Sequence, residues 1–357
     1  MQTANQKLLQ SELQSLLKTL SISHRDLQPL KEASLDSPQG IKETEAVLSM
    51  LYKAMLTIDS DVHQNKKRMG DAASDHGSIG VYADSEVGQM RAVLEKKNEY
   101  RAEATAFLQR LRQYMSIAFK LAEQKRSNAA ANAEKDPLKL NDAARDVARK
   151  ELWPYNALML FAREISSTEW SALINLYEQD VKIPYQSEFR EHSASWKRAA
   201  KKASGEEYEL LFTNPEKDDK SEGLTTAAAR KLTVRRGKTV RLTPGSRSLS
   251  DDKGSGKYEP FEVFSGFLSE TTRVISREQN FVVRFFHMDS LSNTEFSDIV
   301  AESSPEDRQV PDLGVKRSHD PDRDLAKKVE QIMDGIYSFW TVELQNMLDW
   351  VIKMDQL

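Results

Sequence analysis

Between Val87 and Arg126 the apolar residues Met90, Leu94, Ala104, Leu108, Leu111, Met115, Ala118 and Ala122 return at helical spacing over about forty residues. At 1.5 Å per residue a helix of that length is ~60 Å long. Globular helices average only about a dozen residues, so this segment predicts a rod and needs other helices along its length. No segment alternates like a strand, and no fixed-period repeat occurs. Glycine (14) and proline (11) are scarce, which opposes a turn-rich β fold. The expected fold is all-α: elongated antiparallel helical bundles with long disordered loops.

The polarity of the chain agrees with helices that expose much of their surface. Only 39% of the 357 residues are hydrophobic and 30% are charged. At roughly 100–200 residues per domain, the length suggests about two domains. The formal net charge of −4 exerts no overall pull on nucleic acid or anionic lipid. No apolar run approaches the ~20 residues that span a bilayer. The first ten residues lack the basic-then-apolar order of a signal peptide, so the expectation is a cytosolic chain. Cysteine is absent. That excludes disulfides, Cys-ligated zinc or iron–sulfur sites and a cysteine nucleophile.

Around the rod the helical reading continues. Leu9, Leu13, Leu16 and Leu20 have the 4-3-4 spacing of a heptad seam. Without a cap ahead of it, this segment (1–22) reads as the end of a coiled coil begun upstream. Spacing alone leaves pairing in trans or folding back both open. Ser37-Pro38 predicts a capped helix start, with Ile41, Leu48, Leu51, Met55 and Ile58 as its inner stripe. A polar loop is expected over 59–88. A helix is expected over about Leu138–Ile165, kinked at Trp153-Pro154, and another from an N-cap at Thr168, with a kink or break at Pro184. Residues 23–199 would form a first bundle and 200–256 a basic disordered linker. A truncated second bundle would cover 257–357, with a polar loop at 303–323. Its apolar faces would be Phe261, Phe264, Phe267 or Leu268, Thr271, Val274, Ile275, Phe281, Phe285 and Met288, then one last helix from Leu325 through Trp340 to Met354. That helix is still in phase at Leu357 and reads as cut.

Catalytic chemistry finds no constellation. Gly254-Ser255-Gly256-Lys257 resembles the end of a phosphate loop, but Asp251 and Tyr258 stand where glycine and Ser/Thr are needed. The histidines (His24, His63, His76, His192, His287 and His319) show no i, i+4 pair for a metal. No cofactor or metal is expected, and the chain reads as no enzyme. One charge anomaly stands out: Thr225–Arg247 holds Arg230, Lys231, Arg235, Arg236, Lys238, Arg241 and Arg247 with no acid. These cations could meet acidic lipid or an acidic partner. The plainer reading is a solvated linker. Thr239, Thr243 and Ser250 lie within reach of a kinase there, and phosphate would weaken any lipid attraction.

Whole phrases of the sequence then point to a family. Leu51–Asp59 (LYKAMLTID), Lys150–Glu164 (KELWPYNALMLFARE), Glu169–Tyr177 (EWSALINLY) and Glu278–Phe286 (EQNFVVRFF) resemble the fungal exocyst subunit family usually called "Sec three", exocyst component one. The resemblance implies a tether built of stacked helical bundles that packs against other exocyst subunits and acts peripherally at the plasma membrane, at sites of polarised secretion. Family contacts with membrane and Rho-type GTPases lie in an N-terminal domain with no counterpart here. The later C-terminal bundles likewise find no counterpart in these phrases. The resemblance therefore implies a central region, with the seam Leu9, Leu13, Leu16 and Leu20 and exposed faces of the long helix as its contacts. The alternative function is a peripheral module that binds acidic lipid through 225–247.

Overall fold

The computed structural model describes residues 21–59, 61–62, 89–133, 136–201, 258–292, 294–315 and 320–355, together with residues 10, 11, 14, 17 and 18. Among these the fold is all-α, with no strand beyond one isolated bridge between Ala200 and Tyr258. No helix among them is long and apolar enough to cross a membrane.

Local chemistry sets most helix starts. Helix α1 (Pro29–Glu32) is a single turn whose Leu30 is buried. Helix α2 (Pro38–Ile58) begins as the sequence predicts: the Ser37 side chain accepts from the Gly40 N–H, and Pro38 occupies the first turn. Its stripe Ile41, Leu48, Leu51, Met55 and Ile58 is wholly buried. Gly40 is needed here, because a Cβ would stand 2.0 Å from the Ser34 carbonyl oxygen.

The rod is α3 (Arg91–Asn132), 42 residues in one helix. Its inner face holds Ala104, Leu108, Leu111, Met115 and Ala122, as expected, together with Tyr100, Phe107 and Phe119. Met90 and Leu94 are exposed, and Val93 is the buried residue at that end. The next helix starts later than expected. Asn141 caps α4 (Asp142–Leu152), the 3-10 turn Trp153–Tyr155 interrupts the run at Pro154, and α5 (Asn156–Ile165) completes it. Helix α6 (Ser167–Ala199) is capped by Ser166, whose hydroxyl accepts from the Glu169 N–H, rather than by Thr168. Pro184 lies inside α6 without ending it.

Helix α7 (Pro260–Phe285) opens with a reciprocal capping box between Glu259 and Glu262. Phe261 does not belong to its inner face. It is 75% exposed, while Val263, two residues on and therefore ~200° around the helix, is buried. Helix α8 is Phe296–Glu302. The final helix proves to be two, α9 (Arg323–Ile336) and α10 (Trp340–Asp355). Tyr337 and Phe339 are both buried, packing on Phe189 at 5.7 Å each. On one continuous helix residues two apart point to opposite sides, so the turn is what brings both rings inward.

The stretch 303–315 has no helix, as its polarity suggests, but it is tightly held rather than a disordered loop. Arg308 donates to both carboxylate oxygens of Glu45, at 2.6 and 2.8 Å, and both side chains are buried. Leu313 is also buried, and the Asn280 amide donates to the Leu313 and Val315 carbonyls. These partners lie far away in sequence, so local composition could not reveal them.

Contact pairs give the directions. Phe107 against Phe161, Tyr114 against Tyr155 and Lys125 against Glu151 make α4–α5 antiparallel to α3. Arg112–Glu169, Phe119–Tyr177 and Arg126–Glu188 rise together, so α6 runs parallel to α3. Tyr185–Glu278, His192–Phe267 and Trp196–Tyr258 make α7 antiparallel to α6. Lys328–Ser171, Tyr337–Tyr185 and Glu343–Arg190 lay α9 and α10 parallel along α6. Helix α6 is thus the axis of the molecule.

One hydrophobic core runs from Leu27 to Phe339 and includes Val274, Phe281 and Ile336, so helices before and after 202–257 share it. A smaller cluster gathers Trp196, Ala200, Val263, Phe267 and Met347. Gly266 sits against Trp196 there, and a Cβ would come within 2.3 Å of the indole. Gly266→Ala should therefore destabilise the fold by about 1–3 kcal/mol, the range for overpacking, read from urea unfolding followed by Trp fluorescence.

Candidate functional site

Three features stand out: a buried ionic centre, the closed end of α7, and an open groove between α3 and α6.

The ionic centre forms where α4, α6 and α7 meet. Glu278 is 1% exposed and accepts from Arg149 at 2.9 Å, from the Tyr185 hydroxyl at 2.6 Å and from the Tyr177 hydroxyl. Burial alone would push its carboxyl up. The Arg149 charge and these three hydrogen bonds outweigh that and hold it below the usual glutamate value. Burial pushes the Tyr185 phenol up to about 12 and moves the Tyr177 phenol upward too, so both remain protonated donors. Alongside, Glu188 accepts from both Arg145 and Arg126, Arg126 also reaches Glu123, and the Arg145 guanidinium lies 3.8 Å from the Tyr185 ring centre. The cavity among these groups is about 30 Å³, room for one water and no substrate. This centre sets the relative positions of three helices and leaves no carboxylate free to act on a ligand.

The end of α7 is closed by side chains from the other resemblance-bearing phrases. The Asn156 amide donates to the Arg284 and Phe285 carbonyls, and the Trp170 indole N–H donates to the Phe286 carbonyl at 3.1 Å. His287, at φ 55°, turns the chain, and the Met288 N–H returns to the Val283 carbonyl at 2.8 Å. Tyr52 stacks edge-on against Phe161, and Trp153 lies beside Phe281 and Phe285. The phrases behind the resemblance are thus mutual packing partners. Among the described residues no group of three or more His, Asp or Glu could hold a metal ion.

The third feature is on the surface. An open groove of about 350 Å³ lies between α3 and α6, lined by Arg112, Gln113 and Ser116 on one side and Ala172, Asn175, Leu176 and Gln179 on the other. Sequence reading singled out exposed faces of the long helix but missed this groove, because it needs two helices set side by side. The seam Leu9, Leu13, Leu16 and Leu20 lies outside the described residues, as do Arg230, Lys231, Arg235, Arg236, Lys238, Arg241, Thr239, Thr243 and Ser250.

These features define an all-α helical-bundle protein whose described polar interior is spent on holding helices together. Residues 1–57 match the family model "Exocyst complex component Sec3, coiled-coil", and residues 285–357 match "Exocyst complex component Sec3, C-terminal". These two matches support an exocyst Sec3 subunit. The second match gives α8, α9 and α10 a counterpart in the C-terminal family region, which the resemblance had not supplied. No curated protein and no solved structure matches the chain.

Two consequences are measurable. Arg149→Met strands Glu278 and should cost about 3–5 kcal/mol in urea unfolding, while Arg149→Met/Glu278→Leu should cost less than Arg149→Met alone. The second concerns His192, which is buried. Its Nε2 accepts from the Trp196 indole N–H at 3.1 Å, and burial lowers its pKa to about 4. The unfolded chain would bind this proton near pH 6.5, so stability from the neutral imidazole is present at pH 7 and lost as pH falls from 6.5 towards 4. The loss from this group between pH 7 and pH 5 should be about 1–2 kcal/mol. Buried His287, likewise lowered to about 4, adds a slope of the same sign, so His192→Gln should reduce the pH dependence and His192→Gln/His287→Gln reduce it further.

Proposed function

We propose that this chain is a non-enzymatic scaffold region of the exocyst, which tethers secretory vesicles to the plasma membrane before fusion, and that it works through helix–helix contacts with other exocyst subunits. The observation that carries this reading is the pair of Sec3-family matches, one near each end of the chain, both of which supply residues to the main hydrophobic core. A chain of this kind acts in the cytoplasm, peripherally at the plasma membrane where secretion is polarised. Heptad seams and exposed apolar ridges are the surfaces on which helices of different chains associate. In pull-downs with the remaining purified exocyst subunits, Leu13→Glu/Leu16→Glu should lower capture at least tenfold. Unchanged capture removes the seam from the mechanism.

A second reading assigns 225–247 to acidic lipid. Two things support it: the unopposed cations and the anchoring of the segment's ends. The Lys201 N–H donates to the Tyr258 carbonyl at 2.9 Å, and the Lys201 ammonium pairs with Glu259 at 2.6 Å, so the chain departs from and returns to one point on the surface. Replacing Arg230, Lys231, Arg235, Arg236 and Lys238 by Gln should then abolish co-sedimentation with phosphatidylserine vesicles at low salt. Binding by the parent chain should vanish near 1 M salt, where the Debye length is ~3 Å.

A further inference from the structure

Helix α8 ends at Ser303, and the chain runs on without helix to Arg308, whose guanidinium clamps the stretch to α2. Each nitrogen of that group faces oxygen. Nη1 donates to Glu45 Oε1 at 2.6 Å and to the Pro154 carbonyl at 3.2 Å, and Nη2 donates to Glu45 Oε2 at 2.8 Å and to the Ser303 carbonyl at 3.0 Å. Nε is the loosest, donating to the Ser303 hydroxyl at 3.4 Å. Burial pushes the Glu45 carboxyl up from its ordinary value, and Arg308 is the cation that opposes the shift. The clamp also joins the two family-matched segments, since Glu45 lies in 1–57 and Arg308 in 285–357.

The chemistry around Ser303 suits a phosphoacceptor. The residue is half-buried and has extended backbone, φ −148° and ψ 141°, the form in which a kinase groove takes its substrate. Glu302, Glu306 and Asp307 beside it are exposed. Glu306, three residues on, is where a kinase with a basic groove reads an acid through charge complementarity. The neighbouring Ser304-Pro305 pair is presented less well. Pro305 is buried, and the Ser304 hydroxyl donates to Asp307 at 2.7 Å. At Ser303 alone the hydroxyl already touches an arginine, the side chain whose geometry best fits phosphate.

We propose that Ser303 is phosphorylated by an acid-directed serine kinase, and that its phosphate competes with Glu45 for Arg308 and frees 303–315 from α2. In the transfer, the bond between the γ-phosphorus of ATP and its bridging oxygen breaks and a bond to Ser303 Oγ forms. ADP leaves with the bridging oxygen, and the hydroxyl proton passes to the kinase's base and then to water. The new group carries about −2 charge near pH 7. The acids around it cannot pair with it, so it draws on Arg308. One guanidinium then faces two anions, and Glu45, buried in α2, loses the partner that kept its charge. A charge placed on one residue thereby loosens the joint between the two family-matched segments.

The test treats the folded full chain with a purified acid-directed serine kinase and ATP, with Ser303→Ala treated alike to account for phosphate at other sites. Mass spectrometry should place phosphate on Ser303. Amide hydrogen exchange over 303–315 should then become about tenfold faster in the parent but not in Ser303→Ala, with α3 unchanged in both. In Glu45→Gln the phosphate has no rival for Arg308 and should slow exchange over 303–315 instead. This reversal separates competition for Arg308 from general damage to the fold. Phosphate on Ser304 alone, or on Ser303 only after unfolding in urea, overturns the site. Phosphate on Ser303 that leaves exchange over 303–315 unchanged, or that speeds it in Glu45→Gln as in the parent, overturns the competition.

Discussion

A carboxylate removed from water must be met by donors or give up its charge, and the arrangement of this molecule turns on how Glu278 is met. Its three partners come from two helices, Arg149 on α4 and Tyr177 and Tyr185 on α6, while Glu278 itself lies on α7. Sliding any of these helices by one turn would leave an ion or a phenol buried without a partner. The apolar contacts around it, such as Trp153 with Phe281, supply area without comparable directionality. The ionic centre therefore sets register, and the aromatic core supplies the cohesion around it.

The same division explains what could be read in advance. The Ser37-Pro38 start and the inner stripe of α2 were legible, since cap, proline and periodicity all act within one helix turn or two. The long α3 was legible for the same reason. Its Tyr100, Phe107 and Phe119 were not singled out, yet they are buried. Three consecutive hydroxyl residues, Ser166, Ser167 and Thr168, stand at the start of α6, and local rules could not choose Ser166 over Thr168. The break between α9 and α10 was hidden because Tyr337 and Phe339 keep apolar character through the turn. The facing Phe189 receives both rings, and Tyr185 also packs on Tyr337.

The stretch 303–315 shows the limit most sharply. Its composition is that of a solvated loop, yet Arg308 reaches across to Glu45 and also donates to the Pro154 carbonyl. An ion pair between residues this distant leaves no trace in the polarity of either segment. The same holds for the resemblance-bearing phrases. Lys150–Glu164, Glu169–Tyr177 and Glu278–Phe286 lie far apart in sequence yet pack on one another, through Asn156 and Trp170 on the carbonyls closing α7.

By itself the sequence determined that the chain is helical and that it lacks the thiols of several enzyme classes. Periodicity, capping and composition are local properties, and each of those conclusions needs nothing more. Only the tertiary structure decided that α6 is the axis, that helices before and after 202–257 share one core, and which apolar residues remain outside it. Ile117, Leu121 and Ile183 are ordinary hydrophobic residues in the sequence. They stay exposed because the inner faces of α3 and α6 are already filled, and that follows from a register set by long-range ionic and aromatic contacts.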